Sequence, residues 1–324
     1  MFEGIPLFQD LERHPHVDQD VGAHRQATVS DHQRGVHTPA RAGYLDFGGM
    51  RRRIEHLHHA TNDSHAHKRS PTSNLNGYMR LAFIGKGGSG KSTVAGTAAR
   101  LLGRQEGAVL ALDVDPLPGL AFSVGLGRVP EGGLPEGLAE RREGKGWVLK
   151  EEVSAETLVD RYALQGPDGV RFMQLGKMPG HVRPGSTTAF RHVVETFHRP
   201  GWSVVGDLSA GTRQAFAGWG SFATRLVIVS ELSSAGLLTA RRLKRMAETF
   251  PEAAIGLVIN KTRGANQAAE KADELGIPLW AVLPYDEEMA QAERSGRAPI
   301  DVAPNSPVVI AIEGFVETIR EGTA

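Results

Sequence analysis

Cysteine is absent from all 324 residues. That absence removes disulfides, thiolate zinc sites, iron–sulfur clusters and cysteine nucleophiles together. Long apolar runs are lacking too. No uninterrupted stretch approaches the ~18–20 residues that a membrane-spanning helix needs, and the opening "MFEGIPLFQDLERHPH" lacks the basic-then-apolar order of a secretory signal. A cytoplasmic location is the expectation. Nor is there an excess of one charge: Lys plus Arg and Asp plus Glu number 37 each, so the whole exerts no net pull on nucleic acid or anionic lipid and only local patches remain. The 40% hydrophobic content is enough for a substantial core.

The chain divides near Met79. Ten of the thirteen histidines fall in the first 78 residues, where stretches such as "HHATNDSHAHKRSPTSN" show no hydrophobic periodicity. Such a segment buries too little apolar surface to offset its ordering entropy, so residues 1–78 are expected to be a disordered, His-rich extension. Met79 is the expected natural first residue, with the upstream part a dispensable tail or a start-site misassignment. His56, His58, His59, His65 and His67 form its densest cluster, a composition that can also hold metal.

From Met79 the pattern changes to short aliphatic runs alternating with helix-period segments. "RLAFIG" precedes "KSTVAGTAARLLGRQ", and "AVLALDVD" precedes a long irregular stretch. Then follow "VRFMQLG", "TAFRHVVETFHR", "WSVVGDLS", "TRLVIVS", "SAGLLTARRLKRMAETF", "AAIGLVIN", "NQAAEKADELG", "PLWAVLP" and "DEEMAQAERSG". Strands apolar on both faces and alternating with helices predict an α/β fold with a mostly parallel sheet covered on both sides, here one domain over 79–324. In the last segment, Val308, Val309, Ile312, Phe315, Val316 and Ile319 share one helical face that should pack on the sheet.

"GKGGSGKST", Gly85 to Thr93, fits the G-x-x-x-x-G-K-[ST] phosphate loop in its confirming context, after a strand and before a helix. Gly85, Gly87, Gly88, Ser89 and Gly90 let the backbone aim N–H groups at phosphate oxygens, and the helix starting at Lys91 adds the positive end of its dipole. Lys91 should reach the β- and γ-phosphates, the Ser92 hydroxyl should complete a magnesium shell, and Thr93 should bond a phosphate nearer the base. Lys86 is a second lysine among these glycines. An isolated lysine there would simply face solvent.

The string "KGGSGKST" resembles the deviant Walker A motif of the MinD/ParA group of P-loop ATPases. The resemblance implies a three-layer P-loop fold, ATP with Mg²⁺ as cofactors, and an ATP-dependent homodimer in which Lys86 reaches phosphates held by the partner. In "LALDVDPLPGL" the D-x-D-P string matches a first switch. By that match Asp115 positions the attacking water and Asp113 influences the magnesium shell, although carboxylates at i and i+2 also initiate ordinary loops. "WSVVGDLSAG" has the D-x-x-x-G form of a Walker B and second switch, with Asp207 on magnesium and Gly211 near the γ-phosphate. In "LVINKT", an aspartate at the fourth position of Asn-Lys-x-Asp would read guanine. Arg263 stands there, so adenine is favoured and Asn260 would contact its edge. In "LPYDEEMAQAERSGRAP" the backbone near Pro284 and Asp286 would line the base pocket.

Over Met79 to Ala324 these strings are most similar to the nickel-insertion accessory ATPases of carbon monoxide dehydrogenase. Those carry a Cys-x-Cys metal site that this chain lacks, and His181, His192 and His198 are not spaced to replace it. The same absence excludes a nitrogenase iron-protein-like reductase and an arsenite pump ATPase. The implied activity is slow ATP hydrolysis in a dimeric switch that assists an unnamed client protein, with Pro116 to Pro200 the expected place of client reading. The alternative is a positioning or partition ATPase on DNA or membrane. "ARRLKRMA" supplies Arg241, Arg242, Lys244 and Arg245, but such a run is commonly a solvated helix face, and the C-terminal helix sets Glu313, Glu317 and Glu321 against Arg320. DNA and membrane binding are therefore disfavoured.

Overall fold

The computed structural model describes residues 78–115, 119–130, 132–176, 183–211, 215–248 and 253–322, all within one compact unit, Pro71–Ala324. The expectations for the His-rich extension, for Pro116 and for His181 lie outside these residues.

In chain order the strands are β1 (Arg80–Gly85), β2 (Val109–Asp113), β3 (Ala139–Arg142), β4 (Gly146–Leu149), β5 (Leu164–Gln165), β6 (Val170–Gln174), β7 (Ser203–Asp207), β8 (Arg225–Ser230), β9 (Ala254–Thr262) and β10 (Leu279–Pro284). The helices are α1 (Lys91–Glu106), α2 (Leu120–Ser123), α3 (Ala155–Tyr162), α4 (Pro184–Thr196), α5 (Ser234–Ala247), α6 (Ala265–Leu275), α7 (Glu287–Arg294), α8 (Pro299–Val302) and α9 (Pro307–Arg320). Eight strands form one sheet in the order β10-β9-β8-β1-β7-β2-β6-β5. All pairs are parallel except β5 against β6.

Alternate residues of the central strands are buried on opposite faces. Leu81, Phe83, Val205, Val227 and Val229 join Val94, Ala98 and Leu102 of α1 and Ile312, Phe315 and Val316 of α9 in one core. Ala82, Ile84, Leu110, Val204 and Ile228 are equally buried on the other side, where Phe190 of α4, Leu243 of α5 and Ala268 of α6 also lose their exposure. A sheet apolar on both faces cannot stay in water on either, and three layers result. The six residues expected to form the packing stripe of α9 are all buried. Among the described residues, no helix is long and apolar enough to cross a membrane.

The stretch expected to be irregular is not. Between β2 and β6 it holds α2, the separate antiparallel hairpin β3–β4, α3 and the short β5. These elements escape a periodicity reading because they are short, and the two hairpin strands "AERR" and "GWVL" also carry almost no buried face. For α3 the local signals were a serine at the N-cap, Ser154, whose hydroxyl accepts from Thr157 N, and the apolar spacing of Ala155, Leu158 and Val159.

The chain leaves β1 toward β2 and β6, returns through β7, and then continues on the other side of β1 through β8, β9 and β10. This reversal makes the carboxyl end of β1 the switch point where a parallel sheet opens a crevice for ligands. Beneath it, Arg100 of α1 is a buried tie. Its Nε donates to Asp168 Oδ2 at 2.6 Å, its Nη2 to Asp301 Oδ1 at 2.7 Å and its Nη1 to Val124 O at 3.3 Å. Burial pushes the Asp168 carboxyl up, but hydrogen bonds from Arg100 and Arg104 pull it further down, so it lies below its ordinary value. Its contribution to stability is complete above the ordinary carboxylate range and is lost as pH falls through that lowered value. Because Asp301 is 39% exposed, an Arg100→Met protein should lose about 2 kcal/mol, less than a fully buried pair, and melt about 4–8 °C lower. A melt at neutral pH measures this, and the difference from wild type should shrink in acid.

Candidate functional site

Strand β1 delivers Gly85 to the switch point with its carbonyl fixed by Gly211 N at 3.2 Å. A Cβ at Gly85 would run into the backbone carbonyl of Val229, so only glycine lets the loop leave between β1 and β8. Gly88 and Gly90 take φ of 82° and 89°, the left-handed region that disfavours side chains. Gly90 is the N-cap of α1 and provides no side-chain cap. The first N–H groups of a 16-residue helix are thus left for an anion. The loop's two lysines have opposite fates. Lys91 is 7% exposed with Nζ 3.5 Å from Lys86 O, whereas the Lys86 side chain is exposed. Thr93 follows, half-buried, in the first turn of α1.

One corner of this cradle suits a hard divalent cation. Ser92 Oγ donates to Asp207 Oδ2 at 2.5 Å, and Asp207 Oδ1 is buried without a hydrogen-bond partner among the described residues. Burial lifts the Asp207 carboxyl to about 6, against the pull of Lys91 and the Ser92 hydroxyl. A hydroxyl and a carboxylate with an oxygen to spare are the donors that Mg²⁺ takes alongside water and phosphate. Asp113, in register with Asp207 on the neighbouring strand, is fully buried. Its carboxyl is pushed well up, by burial first and then by the charge of Asp207. It accepts Asp115 N at 3.1 Å and Leu120 N at 3.0 Å. Asp113 therefore does start a loop, and by doing so it fixes Asp115 and the entry to α2. Ser89 Oγ is a second buried polar atom at the cradle without a partner among the described residues.

The segments after β2 and β7, the two expected switch strings, are stitched together. Val114 N donates to Asp207 O at 3.0 Å, and Ser209 Oγ donates to Val114 O at 3.1 Å. These bonds join the segment that leads to Gly211, which has φ 99°, to the residue preceding Asp115.

On the other side of β1, Asn260 is buried at the end of β9. Its Nδ2 donates to Ser89 O at 2.8 Å and its Oδ1 accepts Lys261 N at 2.9 Å. The residue expected at the base edge thus braces the phosphate loop. β9 continues to Thr262, whose carbonyl accepts Tyr285 N at 2.9 Å and ties Pro284, Tyr285 and Asp286 to it. Asp286 caps α7 through Glu288 N and Met289 N. The Arg263 guanidinium lies 5.0 Å over the Tyr285 ring.

Residues 81–300 match the family described as the CobQ/CobB/MinD/ParA nucleotide binding domain. The chain belongs to this family. An ATP-binding protein of Methanocaldococcus jannaschii is 27% identical over 237 residues, which are 69% of this chain and 91% of that protein. The carbon monoxide dehydrogenase accessory protein CooC of Rhodospirillum rubrum is 27% identical over 245 residues, 70% of this chain and 91% of that one. In fold, the chain is similar to the septum site-determining protein MinD of Pyrococcus horikoshii, solved with Mg-ADP. That likeness has a TM-score of 0.57 at 17% identity and covers 76% of this chain and 98% of that one. The expected resemblance to MinD/ParA ATPases is thus met by the family match and by the fold, and the expected likeness to the nickel-insertion accessory branch by the sequence similarity to CooC.

Within this family site, sequence reasoning gathered Lys86, Lys91, Ser92, Asp113, Asp115, Asp207, Gly211 and Asn260 around one crevice. It passed over Ser209, Glu231 and the structural use of Lys261, which the string "LVINKT" named without a task. Their signal was position: Ser209 and Glu231 follow the carboxyl ends of β7 and β8, the two strands beside β1, and Lys261 is the penultimate residue of β9. Of the histidines outside the extension, His192 Nε2 bonds Val153 O at 2.9 Å, away from this crevice.

Proposed function

We propose that residues 79–324 form an ATP-hydrolysing molecular switch that closes into a homodimer with ATP and Mg²⁺ and reopens after hydrolysis, assisting maturation or assembly of a client protein. The observation that carries the reading is the divergence of the two loop lysines, Lys91 turned into the protein and Lys86 into solvent. A cation built into a phosphate loop yet directed away from it has a use when a second protomer brings a triphosphate opposite. Symmetric pairing through one surface is the simplest way to do so.

In each site the N–H groups at the start of α1 and the Lys91 ammonium would hold the β- and γ-phosphates, with Thr93 nearer the base. Ser92 and Asp207 would hold magnesium, with Asp113 shaping that corner. The metal would supply charge neutralisation at the phosphate oxygens. Asp115 would orient the attacking water, and Gly211 would follow the γ-phosphate. Asn260 and the backbone at Pro284 and Asp286 would border adenine. Almost all the rate gain in such a site is electrostatic positioning. The relative named as an accessory protein of carbon monoxide dehydrogenase supports a client-assisting role. The lack of cysteine means that any client chemistry here proceeds without a thiolate metal site.

The test is an Asp115→Ala protein, which should bind ATP, hydrolyse it at least about 100-fold more slowly and remain a dimer in ATP by light scattering. If it binds ATP tightly and stays monomeric, the switch reading fails. Exposure of Leu238, Arg241, Arg242 and Arg245 on α5 gives the partition reading its one observation. The same ATP-locked protein, offered duplex DNA, separates the two: retardation that requires ATP would favour partition.

A further inference from the structure

Two consecutive carbonyls of the phosphate loop turn outward, and each is held by a side chain from the end of β9. Asn260 Nδ2 holds Ser89 O at 2.8 Å, and Lys261 Nζ holds Gly88 O at 2.9 Å while lying 3.4 Å from Glu231 Oε1. In a planar trans peptide the carbonyl and the following N–H point in opposite directions. Holding Ser89 O outward therefore turns the Gly90 N–H toward the concave side of the loop. Holding Gly88 O outward turns the Ser89 N–H inward, where it closes on Lys86 O at 3.2 Å.

Lys261 reaches this place at a cost. It has φ 56°, shared among described non-glycine residues only with Asp168, which has φ 52°. An L-residue persists in that region only when its surroundings over-determine it. Here the strained backbone lets Lys261 N donate to Asn260 Oδ1 at 2.9 Å, so one turn delivers both the amide and the ammonium to the same loop. Glu231, just beyond β8, supplies the opposite charge that keeps the ammonium in line with Gly88 O.

We infer that Lys261 is a positioning residue of the nucleotide site: with Asn260 and Glu231 it holds the phosphate loop in its binding shape through the Gly88 carbonyl, and it does not read the base. The inference rests on the loop being the nucleotide cradle. It predicts that Lys261 contributes to the affinity for any nucleoside diphosphate, whatever the base.

Three variants of the full chain, titrated with ADP and GDP in the presence of Mg²⁺ and melted without ligand, test it. Lys261→Gly should bind ADP about tenfold more weakly, as loss of one charged hydrogen bond implies. It should melt no lower than wild type, because glycine relieves the left-handed φ. Lys261→Met, which keeps the strain and loses the anchor, should show the same loss of affinity and a lower midpoint. Lys261→Arg should restore ADP binding to within about threefold of wild type, since a guanidinium can donate to the same carbonyl. The ratio of ADP to GDP affinity should stay constant throughout. ADP binding by Lys261→Gly equal to wild type would overturn the positioning role. So would a changed ADP-to-GDP ratio, which would assign Lys261 to the base. A wild-type protein that binds neither nucleotide would instead overturn the reading of the cradle, and the positioning role with it.

Discussion

Lys86→Ala is expected to bind ATP and ADP within about twofold of wild type and yet to lose turnover by about a thousandfold or more, the range associated with a cation supplied in trans to a phosphoryl transfer. Affinity should survive because, among the described residues, Lys86 serves its own loop only through its backbone. Its carbonyl accepts Ser89 N at 3.2 Å and faces Lys91 Nζ at 3.5 Å, and alanine keeps both. Turnover should fail because charge moves toward the leaving oxygen in the loose transition state, and without Lys86 from the partner the only lysine left facing it is Lys91. Mixing gives a sharper readout. In a dimer of one Lys86→Ala protomer with one Asp115→Ala protomer, the site on the first has its own Asp115 and receives Lys86 from the second. Random pairing makes half the dimers mixed with one competent site each, so an equal mixture should recover about a quarter of wild-type activity. If Lys86 acted within its own protomer, the mixture would stay inactive.

The parts of the molecule that were readable in advance are those governed by local pattern. "RLAFIG", "TRLVIVS" and "PLWAVLP" are apolar on both faces and became β1, β8 and β10. The stripe from Val308 to Ile319 became the buried face of α9. The phosphate loop was readable because its backbone demands glycine at fixed offsets. What escaped was set by contacts far apart in sequence. Asn260 and Ser89 are separated by 171 positions, and neither string predicts the bond between them. The positive φ of Lys261 is likewise invisible to composition, since lysine has no propensity for it. Glu231 and Ser209 sit in strand-end loops whose residues have no period, so their roles emerge only once β8 and β7 flank β1. The hairpin β3–β4 was missed for the opposite reason: it buries little, so no apolar pattern marks it, whereas α3 buries Ala155, Leu158 and Val159 but is only two turns long, too short for its period to stand out.

The second large effect lies where the legible and the illegible parts meet. Gly90 has φ 89° and ψ 21°, and an added Cβ would overlap Nδ2 of Asn260 and lie 3.9 Å from Cε of Lys261. Gly90→Ala therefore carries two costs. A left-handed alanine is disfavoured by about 1–2 kcal/mol. Displacing the Asn260 amide, which is only 6% exposed, breaks its bonds to Ser89 O and Lys261 N and leaves a buried polar group unsatisfied, a further penalty of about 1–3 kcal/mol. Once Ser89 O is released, the Gly90 N–H is no longer aimed, so ADP affinity should fall by about 100-fold or more, equivalent to losing about 2.7 kcal/mol of binding. Gly87→Ala is the control. Gly87 is not at positive φ, and a Cβ there would meet only the Ala210 methyl at an ordinary 3.6 Å, so its ligand-free melting midpoint should match wild type. Melting and ADP titration of the pair decide the matter: a folded Gly90→Ala protein with unimpaired ADP binding would mean that the entry to α1 does not hold phosphate, and an equal loss of stability in Gly87→Ala would mean that loop crowding of any kind, rather than the Asn260 brace, sets the cost.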